Sequence, residues 1–160
     1  MKLQIKNGRL IDPAHKVDAN RDLFIADGRV VAIGTAPAGF DDNGTVGTID
    51  AAGCVVCPGL VDLSARLREP GYEYKATLES EMAAAAAGGV TSLACPPDTD
   101  PPLDEPGLVE MLKHQARLPE FAKVYPVGAL TAKLEGKHIT EMAELAEAGC
   151  VAFGQAGTAI

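Results

Sequence analysis

The sequence predicts an α/β chain in which a small antiparallel β domain, residues 1–57, precedes a parallel sheet with crossover helices, residues 58–160. Two observations carry this reading. Before Pro58, short apolar runs are separated by the tight-turn pairs Asn7-Gly8 and Asp27-Gly28, the pattern of hairpins. After it, apolar runs begin at 60, 90, 123 and 150 with helix-length segments between them, about one βαβ unit apart. Three such crossovers suit either a doubly wound sheet or a (β/α)₈ barrel. A whole barrel takes about 250 residues, so a barrel reading makes residues 58–160 the first four β/α units, about half. Its first and fourth strands are then open apolar edges that need covering. The chain is expected to be a fragment or the N-terminal product of a cleavage, in preference to half of an assembly.

In the first part, residues 3–6 and 9–12 are expected to pair across Asn7-Gly8, and 22–26 with 29–33 across Asp27-Gly28. A last strand enters at Thr48 after a polar loop rich in Gly, Asp and Asn. In the second part, residues 60–63 form a short strand and a loop follows at 68–72. A helix then spans about 77–87, with Thr77 as N-cap, Glu79 and Glu81 in the first turn where the helix dipole favours anions, and Gly88-Gly89 as its stop. The alanine run 83–87 reads as a packed helix face, and Gly88-Gly89 closes a helix instead of opening one, so it is no phosphate loop. The next strand is 90–95. A proline-rich loop at 96–106 leads to a helix with Leu108, Val109 and Leu112 inward, the strand 123–128, a helix over about 140–148 ended by Gly149, and the strand 150–153.

Composition excludes several functions. With 22 Asp and Glu against 14 Lys and Arg, the net charge is −8, and no local basic cluster offers a nucleic acid its phosphate contacts. Aromatic residues are 4% of the chain and tryptophan is absent, which argues against a single-strand stacking surface. The longest uncharged stretch, 82–97, is interrupted by Gly88-Gly89 and falls short of the roughly 20 residues a spanning helix needs. The N-terminus lacks the apolar core of a signal peptide, so a cytoplasmic location is expected. Cys54, Cys57, Cys95 and Cys150 fit a reducing compartment. Cys54 and Cys57 have the spacing of a redox or zinc pair, but no second pair completes a zinc site, and burial as small hydrophobes is expected. His15, His114 and His138 fall away from strand ends and read as surface residues.

Active-site groups of parallel α/β folds cluster where strands end. The first such junction runs from Pro58-Gly59 through Asp62, Ser64 and Arg66 to Leu67-Arg68-Glu69-Pro70-Gly71. It resembles the amidohydrolase superfamily, and specifically the dihydroorotases, whose first barrel strand ends in Asp-x-His-x-His followed by Leu-Arg-Glu-Pro-Gly. The resemblance extends through residues 73–75 and 84–89 and the N-terminal turns, essentially the whole chain. It implies a TIM barrel preceded by a small β-sandwich-type domain, a zinc-dependent hydrolase chemistry and a role in pyrimidine synthesis.

The departures from that pattern bear most on function. Where the family has its two metal-binding histidines, this chain has Ser64 and Arg66. Side chains at i and i+2 of a strand share a side, so a His-x-His pair can reach one ion; a guanidinium has no lone pair to offer one. The family's Met-Pro-Asn-Thr after the second strand aligns with Pro96-Pro97-Asp98-Thr99, so Asp98 places an anion where a carboxylate substrate meets a neutral Asn. After the fourth strand, where the family supplies a carboxylate or a carboxylated lysine, Gln155 stands. Arg68 keeps the place of the arginine that pairs with the substrate carboxylate, and is equally able to tie down its loop through Glu69 or Asp98.

The resemblance then implies a dihydroorotase-like protein without zinc and without intrinsic activity. Such a homologue serves as a noncatalytic subunit that holds aspartate transcarbamoylase together, in homo- and hetero-oligomers. Two alternatives stand beside it. One is an active amidohydrolase whose reduced metal site is completed by residues beyond Ile160. The other is an anion-binding regulator that uses Arg66 and Arg68 as a clamp.

Overall fold

The computed structural model describes residues 1–41, 46–157 and 159. They form two compact units, Met1–Pro58 and Gly59–Ile160. No helix among the described residues is long and apolar enough to cross a membrane.

The first unit contains β1 (Lys2–Lys6), β2 (Arg9–Asp12), β3 (Val17–Asn20), β4 (Leu23–Ala26), β5 (Arg29–Ile33), β6 (Val46–Asp50) and β7 (Val55–Val56). Asp27-Gly28 does make a hairpin: both residues have positive φ, 51° and 73°, as a type I′ turn requires, and β4 pairs β5 antiparallel. Asn7-Gly8 does not. It carries the chain from one sheet to another, because β1 belongs to the sheet β5-β4-β1-β6 and β2 to the sheet β3-β2-β7. Gly8 is needed there for close approach, since a Cβ would stand 2.7 Å from Val56 Cγ2. The expected single antiparallel sheet is thus two sheets, and β1·β6 and β2·β7 are parallel pairs. Turn signals report only local pairing, and both parallel partners arrive from 40 or more residues away. The polar loop expected before β6 lies partly in residues 42–45, outside the described residues. Phe24 and Phe40 meet edge to face at 5.2 Å in this unit's core.

The second unit alternates strand and helix: β8 (Leu60–Asp62), α1 (Leu78–Ala87), β9 (Val90–Cys95), α2 (Pro106–Gln115), β10 (Lys123–Ala129), α3 (Met142–Ala148) and β11 (Ala152–Gly154). The four strands pair in parallel in the order β11-β10-β9-β8, the first half of a barrel. Thr77 caps α1 in a reciprocal box: its Oγ1 accepts from Ser80 N at 3.2 Å, and Ser80 Oγ accepts from Thr77 N at 3.0 Å. Leu78 and Met82 point from α1 into the core with Leu93, Leu103, Val109, Leu112 and Leu145. The alanine run is not buried as a block, because Ala85 touches this core whereas Ala84 and Ala87 are exposed. The fourth strand begins two residues later than its apolar run, at Ala152. β8 and β11 are the outer strands, and Leu60 and Val61 on β8 and Val151 before β11 are exposed.

Backbone approach fixes the seat of β11. Gly128 on β10 lies opposite Phe153, and a Cβ on it would come within 2.9 Å of the Phe153 ring. Gly128→Ala is therefore expected to destabilise the protein by about 1–3 kcal/mol through overpacking. Gly107→Ala, in the open first turn of α2, is expected to be neutral or to stabilise by up to about 1 kcal/mol. Urea denaturation of the two variants checks the contrast, and equal midpoints would refute the packing argument.

Candidate functional site

Parallel pairing brings the carboxyl ends of β8, β9, β10 and β11 to one edge of the sheet, and loop contacts lace them in chain order. Asp100 N donates to Pro70 O at 3.1 Å, Ala129 N to Leu103 O at 2.8 Å, and Leu130 N to Gly154 O at 3.0 Å. The sequence-identified residues lie along this edge, but not as one cluster.

Ser64, Arg66 and Arg68 line a cavity of about 390 Å³ together with Asp62 and with Glu81, Ala84 and Ala85 of α1. Arg66 is also joined to the second strand end: its Nε donates to Asp98 Oδ2 at 2.6 Å. That hydrogen bond, and then the charge of Asp98, raise the Arg66 pKa further above its ordinary value, so the guanidinium stays charged. The pair is 43% and 30% exposed, and an ion pair this open contributes about 0–1 kcal/mol. Its effect is electrostatic placement, with a fixed cation and its counter-ion between the first two strand ends.

Arg68 does not tie down its loop in the expected way. Glu69 Oε2 instead accepts from Leu78 N at 2.8 Å, capping α1, and Asp98 is held by Arg66. Arg68 itself has φ 67°, its carbonyl accepts from Tyr72 N at 2.8 Å, and among the described residues its side chain forms no ion pair. The recess that Arg66 and Arg68 share with Tyr72, Asp98 and Thr99 is only about 10 Å³, room for about one water. That recess has no space for a carboxylate or phosphate, whereas the larger cavity that Arg66 and Arg68 also line does, with Asp98 already paired to Arg66.

Gln155 sits apart from these groups, buried at the end of β11. Its Nε2 donates to Thr131 Oγ1 at 2.6 Å, and Thr131 Oγ1 also accepts from Gly136 N at 2.9 Å. Gln155 Oε1 is buried without a partner among the described residues. Thr131 is the residue that sequence reasoning missed; its only signal was its position two residues beyond the end of β10.

The donors at this edge do not by themselves make a cation site. Among the described residues no group of three His, Cys, Asp or Glu side chains is placed to hold a metal ion, and the first strand end presents the Asp62 carboxylate, a hydroxyl and a guanidinium. His15, His114 and His138 are all exposed; His15 Nδ1 lies 2.6 Å from Asp12 Oδ2, a contact that holds the Asp12 carboxyl below its ordinary range.

The cysteines divide. Cys95 is buried and its thiol is pushed up to about 11, chiefly by desolvation. Cys150 is half-buried and raised to about 11 by the same cause. Cys54 and Cys57 are exposed, contrary to the burial expected for them. They flank β7, whose two residues pair on one side only, with β2. Three residues of extended chain span about 10 Å, beyond the reach of a disulfide.

Comparison with known proteins places this geometry. The family described as dihydro-orotase-like matches residues 53–160. The chain belongs to that family. It is 52% identical over 153 residues to a dihydroorotase-like protein of Pseudomonas aeruginosa, covering 96% of this chain and 36% of the relative. It is 45% identical over 157 residues to a dihydroorotase of Syntrophotalea carbinolica, again covering 36% of the relative. The chain thus spans about a third of the length of the curated relatives it matches. Among solved structures, the L-hydantoinase of Arthrobacter aurescens superposes with a TM-score of 0.73 at 27% identity, over 94% of this chain and 32% of the hydantoinase. A crystal structure of a dihydroorotase shares the fold, with a TM-score of 0.60 at 14% identity over 95% of this chain and 41% of that one. The fold class read from the sequence, the first half of a TIM barrel behind a small β domain, accords with these dihydroorotase-like and amidohydrolase relatives.

The energetic weights of the two strand-end contacts differ. Thr131→Val leaves Gln155 Nε2 and Gly136 N without an acceptor and is expected to cost about 1–3 kcal/mol. Arg66→Ala and Asp98→Ala are each expected to cost less than about 1 kcal/mol. Chemical denaturation ranks the three, and a larger loss at Arg66 than at Thr131 would contradict this reading of burial.

Proposed function

We propose that this chain is part of a noncatalytic dihydroorotase-like protein that serves as an assembly subunit for aspartate transcarbamoylase in pyrimidine synthesis. The observation that carries the reading is the Arg66–Asp98 ion pair at 2.6 Å, on the strand end where the resembled enzymes keep a histidine pair. A dication brought to that place meets a fixed positive charge and loses Asp98 as a free carboxylate. Without a metal to acidify water, the amide carbonyl of dihydroorotate meets a nucleophile of ordinary pKa. Ser64 has no His or Lys beside it among the described residues, and the titratable groups that share its cavity are the carboxylates Asp62 and Glu81 with the guanidinium groups of Arg66 and Arg68. The barrel is then retained for its surface.

Two assays test this reading together. The full-length protein is expected to show no hydrolysis of dihydroorotate and no cyclisation of carbamoyl-aspartate above buffer. Mixed with the transcarbamoylase catalytic subunit at micromolar concentration, it is expected to migrate as one complex by light scattering. Chelator-sensitive turnover, or separate migration of the two proteins, would overturn the proposal.

A further inference from the structure

At the opposite end of the parallel sheet from Arg66, Asp98 and Gln155, a cavity of about 520 Å³ opens between the end of α2 and the starts of β9 and β10. Its charged lining is lopsided, with Lys113, Arg117 and Lys123 against Glu120 alone, beside the rings of Phe121 and Tyr125. This reverses the sign of the rest of the chain. The net charge is −8, and α1 and α3 carry Glu79, Glu81, Glu144 and Glu147. A positive cavity on such a molecule is a local feature of one face, not a consequence of composition.

The cations are set in two ways. Lys113 is anchored, its Nζ donating to Ala148 O at 2.7 Å and occupying space that Gly149, at φ 114°, leaves open. Arg117 and Lys123 form no ion pair among the described residues, and both are exposed. Phe121 is 47% exposed between them in sequence, and Leu118 74%. Aromatic and guanidinium groups together are enriched in contact surfaces and uncommon on plain ones.

We infer that this cavity docks an acidic peptide segment of a partner protein, with a carboxylate on the Arg117 fork and Lys123 and an apolar side chain against Phe121. The inference rests on the assembly reading and names the surface that assembly uses. An acidic partner is repelled by most of a −8 chain and attracted here, so the field orients the encounter as well as holding the complex. A guanidinium also accepts a carboxylate in bidentate geometry. The location leaves the strand ends uncovered, so docking and the loss of chemistry at Arg66 are independent features.

The test uses the full-length protein, the purified transcarbamoylase catalytic subunit as probe, and titration calorimetry at two salt concentrations. Arg117→Glu with Lys123→Glu is expected to weaken binding by roughly tenfold or more at low salt. Lys16→Glu with Arg29→Glu, an equal change of charge on the exposed face of the N-terminal unit, is expected to change it less than about twofold. Phe121→Ala is expected to weaken binding without altering the salt dependence. Circular dichroism melts establish that each variant is folded, and any unfolded one is replaced by its Ala counterpart. If the unmodified protein binds and the Arg117/Lys123 variant binds as tightly, the docking inference fails while the assembly reading stands. If the unmodified protein does not bind, the assembly reading fails and the docking inference falls with it.

Discussion

The parallel pairing of β8, β9, β10 and β11 is the constraint on which the site depends, because it delivers every strand's carboxyl end to the same edge of the sheet. Whatever residue follows a strand is thereby placed beside the residues that follow its neighbours. The edge is knitted by backbone bonds between successive loops, such as Asp100 N to Pro70 O and Leu130 N to Gly154 O. These need no particular side chains, so the frame is indifferent to which residues follow its strands. Ser64, Arg66, Asp98 and Gln155 occupy positions that this frame presents.

Charge placement then decides what the edge can do. Arg66 brings a permanent cation to the first strand end, and Asp98 comes from the second to neutralise it. The pair stands between a recess of about the volume of one water and the larger cavity lined by Ser64, Arg66 and Arg68. Gln155 turns to Thr131 and is buried. Arg66 and Asp98 are thus engaged with each other, and Gln155 with Thr131. The positive cavity at the other end of the sheet shows the reverse condition, with Arg117 and Lys123 exposed and unpaired among the described residues.

How much of this was legible in the sequence follows from the range of the interactions involved. Thr77 with its acidic first turn, the stop at Gly88-Gly89 and the hairpin at Asp27-Gly28 are local, and the sequence states them directly. Asn7-Gly8 carries the same local signal as Asp27-Gly28 and yet joins two sheets, because β1 is claimed by β6 and β2 by β7 from far along the chain. The exposure of Cys54 and Cys57 was hidden for a related reason: β7 is an edge strand of two residues, and a sequence does not show which strands are edges. At the site, the residue identities at 64, 66, 98 and 155 were readable. Their partners were not, since neither the Arg66–Asp98 contact across 32 positions nor that of Gln155 with Thr131 across 24 leaves a pattern.

The central claim is that a guanidinium and its carboxylate partner occupy the place where the resembled enzymes bind a cation. Elemental analysis of the full-length protein, purified without chelator and dialysed against zinc-free buffer, tests it most directly. The account predicts zinc far below one equivalent per chain, unchanged by Ser64→Ala. One firmly held equivalent that is lost on Ser64→Ala or Asp98→Ala would contradict it.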